Sequence, residues 1–126
     1  MEKEYSISES EWEVMKVLWK NPNSTMSFIV EQLEKKGWSY STIKTLVKRL
    51  TDKEFVAADK SQGKNFLYKC AVKEQECKIN ETKNFLAKVF DNSLSMFVST
   101  LVKESNLSKK EEEELMNIIN KMEEDD

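Results

Sequence analysis

One stretch of this sequence constrains its fold strongly, because apolar residues recur in it at the spacing of an α-helix. Within the segment from Tyr40 to Leu50, four of them occupy positions i, i+3, i+4 and i+7, which places them on one stripe of a helix. They are Ile43, Leu46, Val47 and Leu50. The opposite face carries Ser41, Thr45 and Lys48 near its centre, with Thr42, Lys44 and Arg49 beside them. The pattern predicts an amphipathic helix with one buried face.

The polar face of this predicted helix is cationic, since no Asp or Glu occurs between Lys35 and Thr51. A helix anchored by its apolar face, with hydroxyls and cations outward, suits the major groove of DNA. An ordinary solvated helix explains the same residues when they are taken alone, because lysines four apart, such as Lys44 and Lys48, are common on such faces. The segments around the helix favour the first interpretation.

Two predicted helices precede it. Ser8 and Glu11 form a capping-box pattern that begins a helix running to about Lys20, and Asn21-Pro22 ends it. Ser24-Thr25 is expected to supply a short extended piece and a cap, and the second helix is expected over Met26–Lys36. The residues expected to face inward are Val14, Val17, Leu18, Ile29, Val30 and Leu33. Gly37 suits the left-handed position after the second helix, and Ser39 or Ser41 suits the cap of the third.

A β-hairpin is predicted after the third helix. Phe55–Lys60 and Asn65–Cys70 have the residue types of short strands, and the turn residues between them include Gly63 and Lys64. Three helices followed by a hairpin is the order of a winged helix-turn-helix domain. We therefore predict a mainly α protein with a small hairpin, in which residues 1–71 form a winged-helix DNA-binding domain. Gly63 and Lys64 on the wing are expected to touch the DNA backbone or the minor groove.

The remaining residues, 72–126, are predicted to be a helical dimerisation segment. Three apolar stripes at helical spacing occur there, on a segment too short to form its own core. The predicted interface residues are Phe85, Val89, Leu94, Phe97, Val98, Leu101, Leu115, Ile118, Ile119 and Met122. A second copy of the segment is the simplest partner for these side chains. The alternative is that the helices fold back on the first three.

The net charge of −3 argues against a DNA-binding protein until the chain is divided into regions. Between Lys36 and Lys69 there are eight basic and three acidic residues, whereas residues 71–126 hold eight basic and thirteen acidic ones. Because contact with phosphates depends on local charge, the basic segment favours DNA as a partner.

Several kinds of chemistry are excluded by composition. The chain has no His, which removes Ser-His-Asp and Cys-His catalysis, and two Gly cannot build a phosphate-binding loop. Cys70 and Cys77 lack a second thiol pair, so we predict no metal site and expect both thiols to be buried or inert. We predict no catalytic residue and no cofactor. Without a signal peptide or an apolar run of about 20 residues, the protein is expected to be cytoplasmic and not inserted in a membrane.

Four motifs resemble the penicillinase-repressor family, BlaI/MecI/CopY, in order and over nearly the whole chain. I-S-x-x-E-W-E-V-M-x-V-L-W (Ile7–Trp19) and W-S-x-x-T-I-K-T-L-V-K-R-L (Trp38–Leu50) are similar to its N-terminal half. K-N-F-L-A-K-V-F (Lys83–Phe90) and L-S-x-x-E-x-E-E-L-x-N-I-I-N-K (Leu107–Lys121) resemble the BlaI/MecI branch. The resemblance implies a homodimeric winged-helix repressor of double-stranded operator DNA with palindromic TACA/TGTA half-sites.

The resemblance also implies how repression is relieved. In the BlaI/MecI branch a membrane-bound metallopeptidase sensor responds to β-lactams, and the repressor is cleaved at an Asn-Phe bond in its C-terminal segment. An ungapped match places that bond on Thr100-Leu101, whereas an Asn84-Phe85 pair lies one helix earlier. The cysteine-rich tail of the copper-responsive CopY branch is absent from this sequence, although CopY-type control stays an alternative. A protein-interaction adaptor that does not bind DNA is a further alternative.

One residue of the third helix departs from the family pattern. Lys44 stands where close family members often carry Arg, and a lysine lacks the bidentate fork with which Arg recognises a base. A different operator preference is therefore expected. On the residues alone, Ser41, Thr42, Lys44 and Thr45 are predicted to contact base edges, and Lys48 and Arg49 to contact phosphates.

Overall fold

A computed structural model describes residues 6–104 and 106–124 of the chain. Its elements are α1 (Glu9–Lys20), α2 (Met26–Gln32), a 3₁₀ turn (Glu34–Lys36), α3 (Tyr40–Asp52), β1 (Val56–Asp59), β2 (Leu67–Cys70), α4 (Glu74–Phe90), α5 (Leu94–Glu104) and α6 (Lys109–Glu124). The predicted mainly α architecture with one hairpin is confirmed.

The chain divides into two compact units, Met1–Glu81 and Thr82–Asp126. Helix α4 begins in the first unit and ends in the second. The predicted division of function after residue 71 stays a prediction. In the described part of the chain, no single helix is long and apolar enough to cross a bilayer, and the bent pair α4 and α5 passes that test together by length and composition only.

Helix α1 begins at the predicted capping box. The Ser8 amide donates to the Glu11 carboxylate at 2.9 Å, and the Glu11 amide donates to the Ser8 hydroxyl at 3.1 Å. These bonds satisfy two backbone donors that the first helical turn leaves free. Val14 and Leu18 are fully buried as predicted, but Val17 is only partly buried, and Met15, which was not among the residues expected to face inward, is fully buried.

The second helix is shorter than predicted. It ends at Gln32, and the chain continues as a 3₁₀ turn because the backbone bonds change from i−4 to i−3 acceptors after Leu33. This turn keeps Leu33 in the core and leaves Val30 only partly buried. Gly37 then adopts the predicted left-handed conformation, with φ of 73°.

Helix α3 ends in a reversal that the sequence did not indicate. The Phe55 amide donates to the Leu50 carbonyl and the Glu54 amide donates to the Thr51 carbonyl, each at 3.0 Å, with Glu54 left-handed at φ 68°. A non-glycine residue in this conformation is strained by roughly 1 kcal/mol. The reversal carries Phe55 into the core, fully buried, so β1 begins at Val56 and not at Phe55 as predicted.

The hairpin is antiparallel, with Val56 opposite Cys70 and Asp59 opposite Leu67. Ser24 adds a third, single-residue strand, since its amide and carbonyl both bond to the backbone of Tyr68, at 3.0 and 2.8 Å. Thr25 caps α2 by accepting a hydrogen bond from the Phe28 amide. The extended piece and the cap predicted for Ser24-Thr25 are thus both present.

Among the described residues of the first unit, a cluster of buried side chains forms the core: Val14, Met15, Leu18, Ile29, Leu33, Ile43, Leu46, Val47, Leu50, Phe55, Val56 and Cys77. All four apolar residues of the α3 stripe are among them, as predicted. At about 25 cal/mol per Å² of buried apolar surface, this cluster supplies the main stabilisation that holds α3 in place.

The second unit contains the end of α4 with α5 and α6. Asp91 and Asn92 are left-handed and separate α4 from α5, while Ser108 and Glu111 form the second predicted capping box. Three phenylalanine rings pack against one another with centroids 5.4–5.8 Å apart, edge-on in two of the pairs and tilted in the third: Phe85, Phe90 and Phe97.

Candidate nucleic-acid interface

The exposed face of α3 is the candidate surface for a nucleic acid. Its first turn is capped by Ser39, whose hydroxyl accepts from the Thr42 amide at 3.2 Å, so the predicted cap is Ser39 and not Ser41. The six predicted DNA-binding residues of the helix are all exposed: Ser41, Thr42, Lys44, Thr45, Lys48 and Arg49. The four buried residues between them fix the helix by its other face.

The hydroxyl groups of this face are held in place by local hydrogen bonds. The Ser39 hydroxyl lies 3.3 Å from that of Ser41 and 3.0 Å from that of Thr42. The Thr45 hydroxyl donates to the Ser41 carbonyl at 2.9 Å, which leaves its oxygen lone pairs free to accept. These side chains are therefore ordered before any ligand arrives, which lowers the entropy lost on binding.

The cations of α3 differ in their partners. Lys48 lies 3.0 Å from Asp52, but both side chains are more than half exposed, and such pairs contribute little, typically under about 1 kcal/mol. Within the described residues, Lys44 and Arg49 have no carboxylate at salt-bridge distance. The helix thus presents two unpaired cations and one weakly paired cation.

The wing carries the other two predicted contact residues. Gly63 is left-handed, with φ of 72°, in the exposed turn between the strands, and Lys64 follows it. Nearby, the Lys60 ammonium lies 5.3 Å from the centre of the Phe66 ring. The hairpin therefore adds cations beside α3.

Lys44 and Lys64 meet at one groove of about 310 Å³ between α2, α3 and the wing. We call it the wing groove. Its polar lining consists of Thr25, Ser27, Tyr40, Lys44, Lys64, Asn65 and Tyr68, and Met26 and Phe66 complete it. No carboxylate is among these described lining residues.

The sequence alone did not identify Tyr40 as part of this site. Its side chain is 55% exposed at the first position of α3 and lies near Tyr68, which is far away in the sequence. Burial raises the pKa of Tyr68 above its ordinary value, with a smaller contribution from Tyr40, so this phenol is protonated at neutral pH. The available signal in the sequence was an aromatic residue, Tyr40, directly before the residues predicted to contact DNA.

One lysine of the basic segment, Lys53, is already paired with a carboxylate. The Lys53 ammonium, just after α3, lies 2.9 Å from both carboxylate oxygens of Glu11 and donates to the Ser6 carbonyl at 2.9 Å. Burial alone raises the pKa of Glu11, but the hydrogen bonds from the Ser8 amide and from Lys53 outweigh it, so the pKa lies below its ordinary value. Lys53 therefore serves the fold and is not available to a ligand.

The two cysteines lie inside the first unit. Cys77 is buried and Cys70 is partly buried, with its sulfur 3.7 Å from the Met15 carbonyl. Burial raises the pKa of Cys70 to about 12, and burial also raises that of Cys77, so both are protonated thiols at neutral pH. The described residues include no cluster of three or more side chains suited to a metal ion.

The residues predicted for self-association are largely accessible within one chain. Phe85, Val89, Leu94 and Ile118 are 36–57% exposed, while Phe97, Val98, Leu101 and Leu115 are partly buried. The side chains of Ile119 and Met122 lie outside the described residues. The possible cleavage bond, Thr100-Leu101, lies within α5 with Thr100 exposed. These two predictions stay predictions.

Comparison with known proteins identifies related sequences. Residues 7–121 match the model of a family described as penicillinase repressor. The methicillin resistance regulatory protein MecI of Staphylococcus aureus (strain N315) is 39% identical over 120 residues, which cover 94% of this chain and 97% of MecI.

Two solved structures are similar to part of this chain. The DNA binding domain of the repressor BlaI is 34% identical, with a TM-score of 0.53 over 60% of this chain and 93% of that domain. The monomeric form of BlaI from Bacillus licheniformis, in complex with the blaP half-operator, is 35% identical, with a TM-score of 0.50 over 56% and 87% of the two chains. The predicted winged-helix fold is confirmed.

Proposed function

Because the chain belongs to the penicillinase repressor family and is thus a DNA-binding transcriptional repressor, we propose that it acts as a homodimer on a palindromic operator with TACA/TGTA half-sites. Each α3 enters one major groove, and two half-sites are engaged about one helical turn apart, ~34–36 Å. The protein works in the cytoplasm and has no enzymatic activity of its own.

The observation that carries this proposal is the exposed face of α3. It combines ordered hydroxyls with cations that have weak or no partners, and the core holds it rigidly from behind. Hydroxyls suit base edges, and cations suit phosphates. The related BlaI in complex with its half-operator supports the same use of the fold.

We assign different tasks to different positions of this face. Ser41, Thr42 and Thr45 contact base edges. Lys48 and Arg49 contact phosphates, and Lys48 exchanges its weak bond to Asp52 for a phosphate oxygen. Gly63 allows the backbone of the wing to approach the neighbouring DNA strand closely, because glycine carries no side chain.

Dimerisation through the C-terminal helices supplies the affinity for two half-sites. The exposed apolar residues of α4, α5 and α6 are costly to leave in water, which favours association with a second copy. Linking two recognition helices raises the effective concentration of the second at its half-site and tightens binding by about 10²–10⁴-fold.

Release follows when this association is lost. We propose that a membrane-bound sensor metallopeptidase, responding to β-lactams, controls cleavage within α5, with Thr100-Leu101 as the candidate bond. The exposed position of Thr100 supports access, although α5 must unwind locally before a peptidase can take the bond.

Salt-dependent binding tests the proposal. The whole chain is titrated into a fluorescent duplex carrying a TACA/TGTA palindrome, and into a scrambled duplex, at several salt concentrations. Three phosphate contacts from each of two protomers, made by Lys48, Arg49 and Lys64, give a log–log slope of about −5, at about −0.9 per phosphate. Binding to neither duplex, or binding without salt dependence, contradicts the proposal and favours a protein-interaction adaptor.

A further inference from the structure

The wing groove holds two cations that belong to different elements. Lys44 comes from α3 and Lys64 from the wing, 20 residues later in the chain, and both line the same space of about 310 Å³. Neither has a carboxylate at salt-bridge distance among the described residues. Two like charges beside one groove repel each other, and a bound anion between them removes that repulsion.

The neutral groups of the groove suit the same anion. Tyr40 and Asn65 are exposed and carry a phenol and an amide, both hydrogen-bond donors. The hydroxyl of Thr25 accepts from the Phe28 amide, so its own proton remains available to donate. A phosphate oxygen accepts such bonds.

The position of Lys44 on α3 brings it to the side of the helix that lines the wing groove. At 100° per residue, Ser41, Thr45 and Lys48 lie within roughly 60° of one another at the centre of the exposed face. Lys44 lies on the flank of that face, on the same side as Tyr40, which also lines the wing groove. Because Lys44 and Lys64 line the same groove, a phosphate lying beside that groove can be reached from α3 and from the wing together.

We propose that the wing groove seats one phosphodiester of the operator, held jointly by Lys44 and Lys64. The inference rests on the proposed function, and it changes the role predicted for Lys44 from contact with a base to contact with the backbone. The seat couples α3 to the wing through one ligand group. It thereby fixes the register of α3 along the groove without specifying sequence.

Replacing single phosphodiesters of the DNA with uncharged groups tests this phosphate site. A series of palindromic duplexes is made, each with one phosphodiester per half-site replaced by an uncharged methylphosphonate. Binding of the wild-type chain, Lys44→Ala, Lys64→Ala and the control Lys48→Ala is measured by fluorescence anisotropy. All three lysines are exposed, and circular dichroism checks that each variant is folded.

One methylphosphonate position is expected to weaken wild-type binding roughly tenfold or more, the size expected for loss of a charge-assisted hydrogen bond. The same position weakens Lys44→Ala and Lys64→Ala clearly less than it weakens the wild type, because each variant keeps only one of the two lysines that hold the phosphate. Lys48→Ala keeps the full wild-type loss there. Tyr40→Phe loses part of the effect at this position and at no other.

Other results overturn the seat. Each variant is compared with the wild type for the affinity lost at every methylphosphonate position. If this loss is reduced at different positions in Lys44→Ala and Lys64→Ala, or at none, the two lysines do not share a phosphate. If Lys44→Ala relaxes the preference for one base pair of the half-site, Lys44 contacts a base. If the wild-type chain binds no duplex at all, the proposed function fails first, and that outcome is seen before any substituted duplex is used.

Discussion

The Glu11 carboxylate and the Lys53 ammonium lie 2.9 Å apart, although 42 residues separate them in the sequence. The Glu11 side chain is only 3% exposed, and it also accepts the Ser8 amide at the start of α1. One carboxylate therefore caps α1 and holds the end of α3 at the same time. The position of α3 depends on this pair as well as on the core.

Replacing Lys53 with Met is expected to destabilise the protein by about 2–3 kcal/mol, because it leaves the Glu11 carboxylate buried without its cation. Lys48→Met, which breaks the exposed pair with Asp52, is the matched control and costs under about 0.5 kcal/mol. Urea unfolding at one fixed protein concentration measures both. Equal losses for the two variants contradict the structural role of Lys53.

The same carboxylate predicts how stability depends on pH. Its pKa in the folded chain lies below the ordinary value of 4.5, so the stabilisation is complete above about pH 4.5 and is lost as the pH falls through the folded value. Glu11→Gln keeps a capping amide but cannot titrate. The stability difference between wild type and Glu11→Gln is therefore expected to shrink from pH 7 towards pH 3, and a constant difference excludes this linkage.

The thiols are expected to react slowly in the folded chain. A rise in the pKa of Cys70 from 9.0 to about 12 lowers its thiolate fraction about 1000-fold at pH 8, and the greater nucleophilicity of the thiolate restores part of the rate. We expect labelling by a disulfide reagent to be roughly 50-fold slower than in the unfolded chain. Cys77→Ala isolates Cys70, and the same variant in guanidinium chloride is the reference. Rapid labelling of the folded variant is incompatible with a buried thiol.

Thr45→Val tests contact between α3 and base edges. The change removes a hydroxyl from the exposed centre of the helix and is expected to alter base-pair discrimination by about 0.5–1.5 kcal/mol at one half-site position, the size of one neutral hydrogen bond. Thr51→Val is the matched control, because the Thr51 hydroxyl also donates to the carbonyl four residues earlier, at 2.8 Å, outside the proposed contact face. Discrimination is measured with duplexes that each carry one altered base pair. Identical profiles for the two variants rule out a base contact by Thr45.

Ile118→Glu tests self-association. Ile118 is 57% exposed within one chain, so a charge there leaves the fold intact but opposes burial at an interface. The variant is expected to sediment as a monomer and to bind the palindrome at least tenfold more weakly. Asn117→Glu adds the same charge at the adjacent exposed position and is expected to behave as wild type. If Ile118→Glu remains dimeric and binds the palindrome with full affinity, α6 is not part of the interface.

Much of the first unit was predictable because its signals are local. The stripe on α3, the capping boxes and Gly37 each depend on residues within one or two helical turns. The end of α2 at Gln32 was missed because Glu34, Lys35 and Lys36 suit an α-helix as well as the 3₁₀ turn that they form. The Glu11–Lys53 pair and the wing groove join residues that are far apart in sequence, and no spacing rule indicates them.

The two ends of the wing differ in how the backbone is held by hydrogen bonds. Ser24 bonds to Tyr68 on both sides, which secures the base of the hairpin beside α2, whereas β1 and β2 are paired only between Val56–Asp59 and Leu67–Cys70. Residues 60–66 are not part of the strand pairing, so this turn can gain or lose a residue without shifting the strands or α3. Under the proposed function, related repressors can therefore change how the wing meets the DNA by changing the length of this loop alone, while α3 keeps its place.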